Sequence, residues 1–268
     1  MTPPCLSILK RYFMKKLAIS VALALAATSV YAKDWKEIRF GTEPTSPPFE
    51  SKAIDGKLVG FDIDLGNAIC AKLKAKCVWV ENDFDGMIPA LKAKKFDGIL
   101  ASMTVTEKRM QEIAFSDKIY NTPTRLVTKK GSGLLPIATS LKGKRVGVEQ
   151  GTIQETYAKA HWESAGVNVT SYQNQDLVYQ DMQSGRLDAF LQDAIAADLG
   201  FLKTPKGHDF AFAGPNLDDP STLGTGAAIG LRKEDVDLRQ AINMALAAIM
   251  TDGTYKKLEQ KYFSFNIY

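Results

Sequence analysis

The sequence predicts an α/β protein of two similar lobes, each with a mostly parallel central sheet, joined by a two-strand hinge. Three observations predict this class. Short apolar runs alternate with segments of helical periodicity, the alternation occurs in two separate series, and extended segments bounded by turn residues lie between the series. The length of 268 residues allows one large domain or two of average size.

The first series lies between residues 38 and 101. Its apolar spacing predicts, in order, a strand at Ile38–Gly41, a helix around Leu65, Ile69 and Leu73, a strand at Val78–Val80, a helix with Phe84, Met87, Ile88 and Leu91 on one face, and a strand at Asp97–Ala101. Alternation of this kind is typical of βαβ units with parallel strands.

The second series begins near residue 144. It predicts a strand at Arg145–Val148, a helix from Thr152, a strand at Val167–Tyr172, a helix through Tyr179 and Met182, and a strand at Ala189–Gln192. Residues 91–100 (LKAKKFDGIL) and 182–191 (MQSGRLDAFL) both run from a helix end through a basic residue, an apolar residue and an aspartate into a strand. This similarity indicates two lobes built to one plan.

Two segments are predicted to cross between the lobes. Residues 120–127 (YNTPTRLV) form the first, and residues 215–220 return before a strand at Ala227–Leu231. The chain ends in a helix with Ile242, Leu246, Ile249 and Met250 on one face, a break at residues 252–254, and a helical stretch at Tyr255–Tyr262. We therefore expect one lobe from residues 33–121 with 223–268 and a second from residues 122–222. A cleft between such lobes is a natural place for a small ligand.

The N-terminus has the pattern of an export signal. Residues 14–32 (MKKLAISVALALAATSVYA) contain two lysines, an apolar run and a small-residue ending. The run from Leu17 to Ala32 is 16 residues long, shorter than the roughly 20 residues of a membrane-spanning helix, so an anchor is the weaker alternative. We expect cleavage after Ala32 and a periplasmic mature chain. Residues 1–13 are an N-terminal extension, which leaves Met1 and Met14 open as start residues.

Charge and motifs exclude several classes of function. Residues 1–32 hold four basic residues and no acid, and the rest of the chain holds 30 residues of each sign, so the net charge of +4 belongs to the N-terminus. A neutral mature chain gives no argument for nucleic-acid binding, which needs a basic stripe. No G-x-S-x-G or G-x-x-x-x-G-K-[ST] motif occurs, and His161 and His208 lack metal-site spacing. We expect no cofactor, no metal and no insertion into the membrane.

Two cysteines, Cys70 and Cys77, remain in the predicted mature chain, because Cys5 precedes the cleavage point. An even count outside the cytoplasm favours one disulfide. The alternative is a metal site, which needs further ligands, and no other His or Cys lies nearby. A loop this short would stabilise the fold by roughly 2.5 kcal/mol in the chain-entropy model.

Arg109 is a candidate anion ligand. It ends the hydroxyl-rich segment 102–109 (SMTVTEKR), which leads from a strand into a helix. The first helical turn normally prefers acids, because the helix dipole is positive there. An arginine beside free N–H groups and hydroxyls would suit a bound carboxylate, which it grips with two parallel hydrogen bonds. Taken alone, a surface arginine paired with Glu107 or Glu112 is the commoner arrangement.

Other residues at strand and helix ends offer related chemistry. Residues 147–155 (GVEQGTIQE) form a strand, a glycine turn and a Thr-x-x-Glu capping pattern, so the N–H groups of Thr152 and Ile153 could receive an anion. Asp193 and Glu43 each end a strand, where α/β folds place ligand groups. Each residue alone has a plainer interpretation, as a helix cap or a solvated acid.

Several motifs together resemble the periplasmic polar amino-acid-binding proteins, solute-binding protein family 3, among them the lysine/arginine/ornithine-, histidine- and arginine-binding proteins of bacterial uptake systems. The motifs are GFDIDL at 60–65, FDGMIPAL at 84–91, SMTVTEKR at 102–109, GT at 151–152, GRLDA at 185–189 and DGTY at 252–255. The resemblance spans almost all of residues 36–268 and includes the Cys70–Cys77 spacing. It implies the type II periplasmic binding protein fold.

The resemblance also implies roles for individual residues. Arg109 would hold the ligand α-carboxylate, aided by Thr104 and the Thr152 N–H. Asp193 would take the α-ammonium, with Ser102 and Thr104 supplying hydroxyl or carbonyl acceptors. These roles agree with the chemistry of the residues, because an amino-acid zwitterion needs one anchor of each sign.

Five further positions complete the predicted binding site. Phe84 would stack on it, and Glu43 matches an acidic position that meets the side-chain cation in the relatives. Ser46 replaces an aromatic residue of the relatives, Ala101 lacks a hydroxyl, and Ile153 offers only its backbone N–H. The family assignment is unaffected, but the ligand is left open between a basic amino acid and a bulkier derivative such as an opine.

The sequence thus predicts an exported, monomeric binding protein, not an enzyme. It would close around arginine, lysine, ornithine or histidine, or a derivative, and deliver it to a cognate ABC permease with its ATPase. The alternative is a secreted dehydratase of the same fold acting on prephenate-like acids. That activity needs a general acid in the cleft, for which Glu43 or Glu149 could be suggested.

Overall fold

The computed structural model describes residues 35–268, and the predicted signal at residues 1–32 lies outside this range. The strands are β1 (Glu37–Thr42), β2 (Thr45–Ser46), β3 (Glu50–Lys52), β4 (Leu58–Val59), β5 (Lys76–Glu81), β6 (Gly98–Ile99), β7 (Ala114–Tyr120), β8 (Thr124–Lys129), β9 (Arg145–Glu149), β10 (Asn168–Tyr172), β11 (Ala189–Asp193), β12 (Phe210–Leu217) and β13 (Ala227–Leu231).

The helices are α1 (Phe61–Lys72), α2 (Met87–Lys92), α3 (Glu107–Glu112), α4 (Ala138–Leu141), α5 (Ile153–His161), α6 (Gln175–Gln183), α7 (Ala194–Ala197), α8 (Pro220–Leu223), α9 (Val236–Thr251) and α10 (Thr254–Tyr262). Six of the helices, α1, α2, α5, α6, α9 and α10, lie where the apolar spacing predicts them. Short 3₁₀ turns lie at Phe84–Gly86, Glu163–Ala165 and Pro205–Gly207, and a π-helical turn lies at Asp198–Leu202.

Two five-stranded sheets share one plan. Their orders are β5-β1-β6-β13-β7 and β10-β9-β11-β8-β12. In each sheet the first three strands pair in parallel, and the last two are joined by antiparallel pairings. The parallel part is the βαβ part that the alternation predicts, whereas β8 and β13 follow the chain crossings. We call each sheet with its flanking helices the first lobe and the second lobe.

An arginine–aspartate clamp recurs in both lobes. In the first lobe, Asp97 accepts hydrogen bonds from the N–H, Nε and Nη2 of Arg39 at 3.0, 3.0 and 2.8 Å. In the second lobe, Asp188 accepts from the same three groups of Arg145 at 2.8, 3.0 and 2.9 Å. The two aspartates are those that the repeated sequence pattern aligns, so the two series share local geometry as well as element order.

Separate apolar cores support the sheets. Phe40, Phe61 and Ile69 are fully buried in the first lobe, where α1, α9 and α10 cover the sheet. Val146 and Trp162 are buried in the second lobe. The core of each lobe fixes the strand ends that face the other lobe.

The predicted Cys70–Cys77 disulfide is confirmed, and it links the end of α1 to β5.

The predicted extended return at residues 215–220 is only partly extended. Its first part ends β12, and residues 220–223 form α8, because Asp219 accepts a hydrogen bond from the Ser221 N–H and Pro220 stands at the first helical position. None of the helices in residues 35–268 combines the length and apolar character needed to cross a membrane.

Candidate functional site

A cavity lies between the lobes, where strands β1, β6, β9 and β11 end. All ten predicted ligand residues line it: Glu43, Ser46, Phe84, Ala101, Ser102, Thr104, Arg109, Thr152, Ile153 and Asp193. They come from both lobes, so the fold brings together residues up to 150 positions apart in the sequence. Their individual roles in binding stay predictions.

The cleft is closed in this structure. Arg109 Nη2 of the first lobe donates to the Gly151 carbonyl of the second lobe at 3.0 Å. At the rim, Gln173 Nε2 donates to Asp83 Oδ2 at 2.8 Å. Gly151 has φ +79°, and a Cβ atom there would lie 2.8 Å from the Asp85 Cα. A glycine is therefore required at this point of closest approach.

Arg109 is a buried cation without an acidic partner among the described residues. It is 8% exposed, and its Nη1 donates to the Thr104 carbonyl at 2.7 Å. Its guanidinium lies 5.3 Å from the centre of the Phe84 ring. Burial lowers the pKa of Arg109 to about 10. The pairing with Glu107 or Glu112 is not formed, and Glu112 instead pairs with Lys92 at 3.1 Å.

The predicted helix cap lies opposite Arg109. Thr152 Oγ1 accepts from the Glu155 N–H at 3.1 Å, and Glu155 Oε2 accepts from the Gly151 N–H at 2.7 Å. This variant of the capping box, in which Glu155 bonds the N–H of the residue before the cap, fixes the first turn of α5 and leaves the N–H groups of Thr152 and Ile153 at the cavity end of that helix. The positive end of α5 and the Arg109 guanidinium can therefore act on one anion.

Asp193 is held at the end of β11. Its Oδ1 accepts from the N–H groups of Ile195 and Ala196, each at 2.9 Å, which caps the short helix α7. Its Oδ2 accepts a hydrogen bond from the Thr122 hydroxyl. Burial raises the pKa of Asp193, although these hydrogen bonds oppose that effect. A ligand ammonium group would favour the ionised carboxylate further.

Ser102 is fixed by a buried acidic network. It has φ +52°, which is unusual for a residue with a side chain. Its N–H donates to Asp62 Oδ2 at 2.9 Å, and its hydroxyl donates to Glu50 at 3.1 Å. The Tyr120 hydroxyl donates to Asp62 and lies 3.0 Å from the Ser102 hydroxyl oxygen. Burial raises the pKa of Asp62 to about 7, so the network holds Ser102 with little net charge.

Two carboxyl groups face each other at another part of the cavity. Glu43 follows β1 and Glu149 ends β9, and the two carboxyl groups line the same cavity as neighbours, one from each lobe. They are 5% and 7% exposed. Burial raises the pKa of Glu43, while Glu149 and the Phe84 N–H oppose that rise. Burial and Glu43 raise the pKa of Glu149 well above its ordinary value.

Glu149 was not among the residues predicted to bind ligand. Gln154, Gln192 and Leu191 also line the cavity without having been predicted. A signal for Glu149 is nevertheless present in the sequence, because residues 39–43 (RFGTE) and 145–149 (RVGVE) share the pattern Arg-x-Gly-x-Glu. Since the lobes repeat one plan, this pattern places the two glutamates at equivalent strand ends.

The arrangement has the charges that a small zwitterion would need. Within residues 35–268, no group of three or more His, Cys, Asp or Glu side chains is placed to hold a metal ion. An anion site lies between Arg109 and the start of α5, and buried carboxylates lie elsewhere in the same cavity.

The fold and the cleft are those of a solute-binding protein. Residues 38–265 match the model of the bacterial extracellular solute-binding proteins, family 3, and this chain belongs to that family.

Individual relatives indicate which ligands members of this family bind. The histidine-binding periplasmic protein of Salmonella typhimurium is 52% identical over 95% of this chain and 99% of its own length. The lysine/arginine/ornithine-binding periplasmic protein of Escherichia coli is 54% identical with the same coverage. A solved ancestral arginine-binding protein bound to arginine is 39% identical, with a TM-score of 0.80 over 85% of this chain and 99% of that one. These comparisons support a binding protein, not an enzyme.

Proposed function

We propose that this protein captures a basic amino acid in the periplasm and delivers it to an ABC importer. The class of protein follows from its family, and the named relatives bind histidine, lysine, arginine or ornithine. The lobes would open to admit the ligand and close around it, as is general for periplasmic binding proteins. The closed form described above would be the form presented to the permease and its ATPase.

The charge of the cavity is the observation that carries the choice of ligand. It is lined by Arg109 and by four carboxyl groups, those of Glu43, Glu50, Glu149 and Asp193. A zwitterion would occupy Arg109 through its carboxylate and Asp193 through its ammonium group. Glu50 belongs to the network around Ser102, so the Glu43–Glu149 pair is the acidic group left over, and it favours a side chain with a positive charge.

The ligand α-carboxylate would lie between the two lobes. Two of the five guanidinium N–H groups of Arg109 donate to the carbonyls of Thr104 and Gly151, which leaves others for the ligand. The Thr152 N–H would add a donor from the second lobe. Phe84 would cover the aliphatic part of the side chain, and Ser46 leaves space for a larger group.

Export and assembly belong to the same proposal. The mature chain would begin at Lys33, occupy the periplasm as a monomer, and move as lobes of residues 33–121 with 223–268 and 122–222. Intact mass measurement of periplasmic protein should give a chain starting at Lys33, and retention of residues 1–32 would contradict the processing.

Calorimetry of refolded, ligand-free protein tests the ligand. Refolding removes any amino acid carried through purification. We expect arginine, lysine, ornithine or histidine to bind at least about tenfold more tightly than citrulline or glutamine, because of the excess of acids. Equal binding of neutral and cationic ligands would reject the assignment. Binding of an arginine-derived opine alone would restrict it to the bulkier class.

The dehydratase alternative is less well supported. A proton held between Glu43 and Glu149 could in principle serve a general acid. However, relatives that share more than half of their residues with this chain are named as binding proteins. We therefore assign the pair to binding.

A further inference from the structure

We propose that Glu149 selects the ligand together with Glu43, and that this pair, with one carboxyl from each lobe, exchanges a shared proton for the distal cation of the ligand. The inference rests on the proposed function, since it needs a ligand with a positive side chain. It adds a second acid, from the opposite lobe, to the position that the resemblance assigns to Glu43 alone.

The geometry of the pair requires a proton when no cation is present. Two buried ionised carboxylates that neighbour each other in one cavity repel each other, and a proton on one of them lets it donate to the other. Both residues are more than nine-tenths buried. The buried Oε1 of Glu149 receives no N–H or hydroxyl donor from the described residues. Glu149 lines the cavity, where a ligand could supply the missing donors.

Charges around the pair cannot replace that proton. Asp83 and Asp85 lie near it from the first lobe, and Asp176 lies near it on α6 of the second lobe. Glu50 also faces Glu43 through the cavity. All these groups are acids, and no described lysine, arginine or histidine forms an ion pair with either glutamate. The pair is therefore stable only with a proton or with a cation between its members.

The second acid pair in the cavity differs in this respect. Glu50 and Asp62 are also neighbouring buried acids, but Ser102 donates to both, and Tyr120 donates to Asp62. That pair lies within one lobe and its donors are part of the fold. The Glu43–Glu149 pair spans the cleft, and the Phe84 N–H is the donor that the described residues supply to it. It therefore depends on what enters the cleft.

Binding would then proceed with a balanced exchange. The protonated pair carries one negative charge and one proton. A guanidinium or ammonium group enters, the proton passes to solvent, and two carboxylates face the cation. A planar guanidinium can donate to both carboxylates at once, which an uncharged isostere cannot match. Because a proton competes with the cation, the affinity for arginine should increase with pH until the free pair is ionised.

Calorimetry with arginine in buffers of different ionisation enthalpy counts the protons released. We expect release approaching one proton per arginine near neutral pH in wild-type protein. Glu149→Gln keeps the size of the side chain and can donate to Glu43, so it should bind arginine at least about tenfold more weakly and release no proton. Binding of citrulline should change less than about threefold, since it carries no distal charge.

Matched variants separate the loss of arginine affinity from a general disruption of the fold. Glu163→Gln makes the same change on an exposed turn of the second lobe and should leave affinity and proton release unchanged. Glu43→Gln should reproduce the effect of Glu149→Gln from the opposite lobe. If wild-type protein binds arginine but Glu149→Gln retains its affinity and proton release, the pair only holds the cleft closed and the inference is wrong. If wild-type protein binds no basic amino acid, the proposed function itself fails.

Discussion

The two lobes repeat one another at a distance from the cleft and differ where they face it. Residues 39–43 and 145–149 run along equivalent strands. In each segment the arginine binds an aspartate of the neighbouring strand region, and a glutamate lies at the strand end. The glycine in each segment lies against the residue before the clamped aspartate, Phe96 in the first lobe and Leu187 in the second. The repeat therefore brings two like charges, Glu43 and Glu149, to the same cleft.

The two oppositely charged anchors proposed for the ligand, Arg109 and Asp193, lie outside the repeated segments. The first lobe contributes Arg109 from helix α3, and the second lobe contributes Asp193 from the end of strand β11. The clamps also differ, because Asp97 accepts a further hydrogen bond from buried Arg232 at 3.3 Å. The comparison teaches that a repeated scaffold can present identical groups, whereas recognition of a zwitterion requires groups that the repeat does not duplicate.

The largest expected effect follows from removing either unrepeated charge. Arg109→Ala and Asp193→Ala should each weaken binding of a basic amino acid by about 2–5 kcal/mol, because a ligand charge would be desolvated without its partner. This corresponds to about 30-fold to several thousand-fold in affinity. Calorimetry measures the loss, and thermal unfolding of the ligand-free variants checks that both still fold. An affinity within a few-fold of wild type would remove that residue from the site.

The clamps should differ in their effect on stability. Asp97→Asn should lower the free energy of unfolding by about 2 kcal/mol, since it removes one of the two carboxylates, Asp97 and Asp235, that pair with the buried Arg232. Asp188→Asn should cost about 1 kcal/mol, because Asp188 is 29% exposed against 11% for Asp97. Urea unfolding of both variants measures the difference. Equal losses would show that the additional arginine contributes nothing.

The same two aspartates, Asp97 and Asp188, predict how the stability of the fold depends on pH. Burial opposes ionisation of Asp97, but Arg39 and Arg232 outweigh it and lower its pKa. Arg145 lowers the pKa of Asp188. A lowered pKa in the folded state stabilises the protein above the unfolded pKa of about 4, and that contribution is lost as pH falls through the lowered value. Each Asn variant should therefore lose less stability on acidification than wild type.

The smallest expected effect concerns closure. Gly151→Ala and Gly143→Ala both place a side chain at positive φ, and only the Cβ at residue 151 meets the other lobe. Both should destabilise the fold by about 1 kcal/mol. Gly151→Ala should in addition weaken ligand binding by about tenfold, because the closed form is strained. Similar affinities in the two variants would show that the Asp85 backbone gives way easily.

Most elements with a regular spacing of apolar residues were predicted from the sequence. The βαβ strands, the helix face at Ile242 and Leu246, and the Thr152 capping box follow from local pattern, and each is present. The small sheet of β2, β3 and β4 was not predicted, because its strands are two or three residues long and carry no period. The pairing of β13 between β6 and β7 depends on contacts far apart in sequence.

The site was predicted unevenly for a similar reason. Residues in recognisable motifs, such as Arg109 and Thr152, were identified, and they lie in one cavity. Glu149 was weighed only as a possible general acid, since a glutamate after a strand has no local signature. Its facing partner, Glu43, lies 106 residues earlier, and only the repeat of the lobes relates the two. Long-range proximity and burial thus decide which carboxyl groups share a proton.

The position of β13 has a consequence for the order in which the lobes form. The second sheet is built from one continuous stretch, residues 124–217, whereas the first sheet needs residues 227–231 between β6 and β7. A chain that emerges from its N-terminus can complete the second lobe while the first still has unpaired strand edges. The first lobe closes last, when the C-terminal helices α9 and α10 arrive to cover its core. The N-terminal strands of the first lobe can therefore complete their sheet only after β13, α9 and α10 have been synthesised. The cleft between the lobes forms only when both lobes are complete.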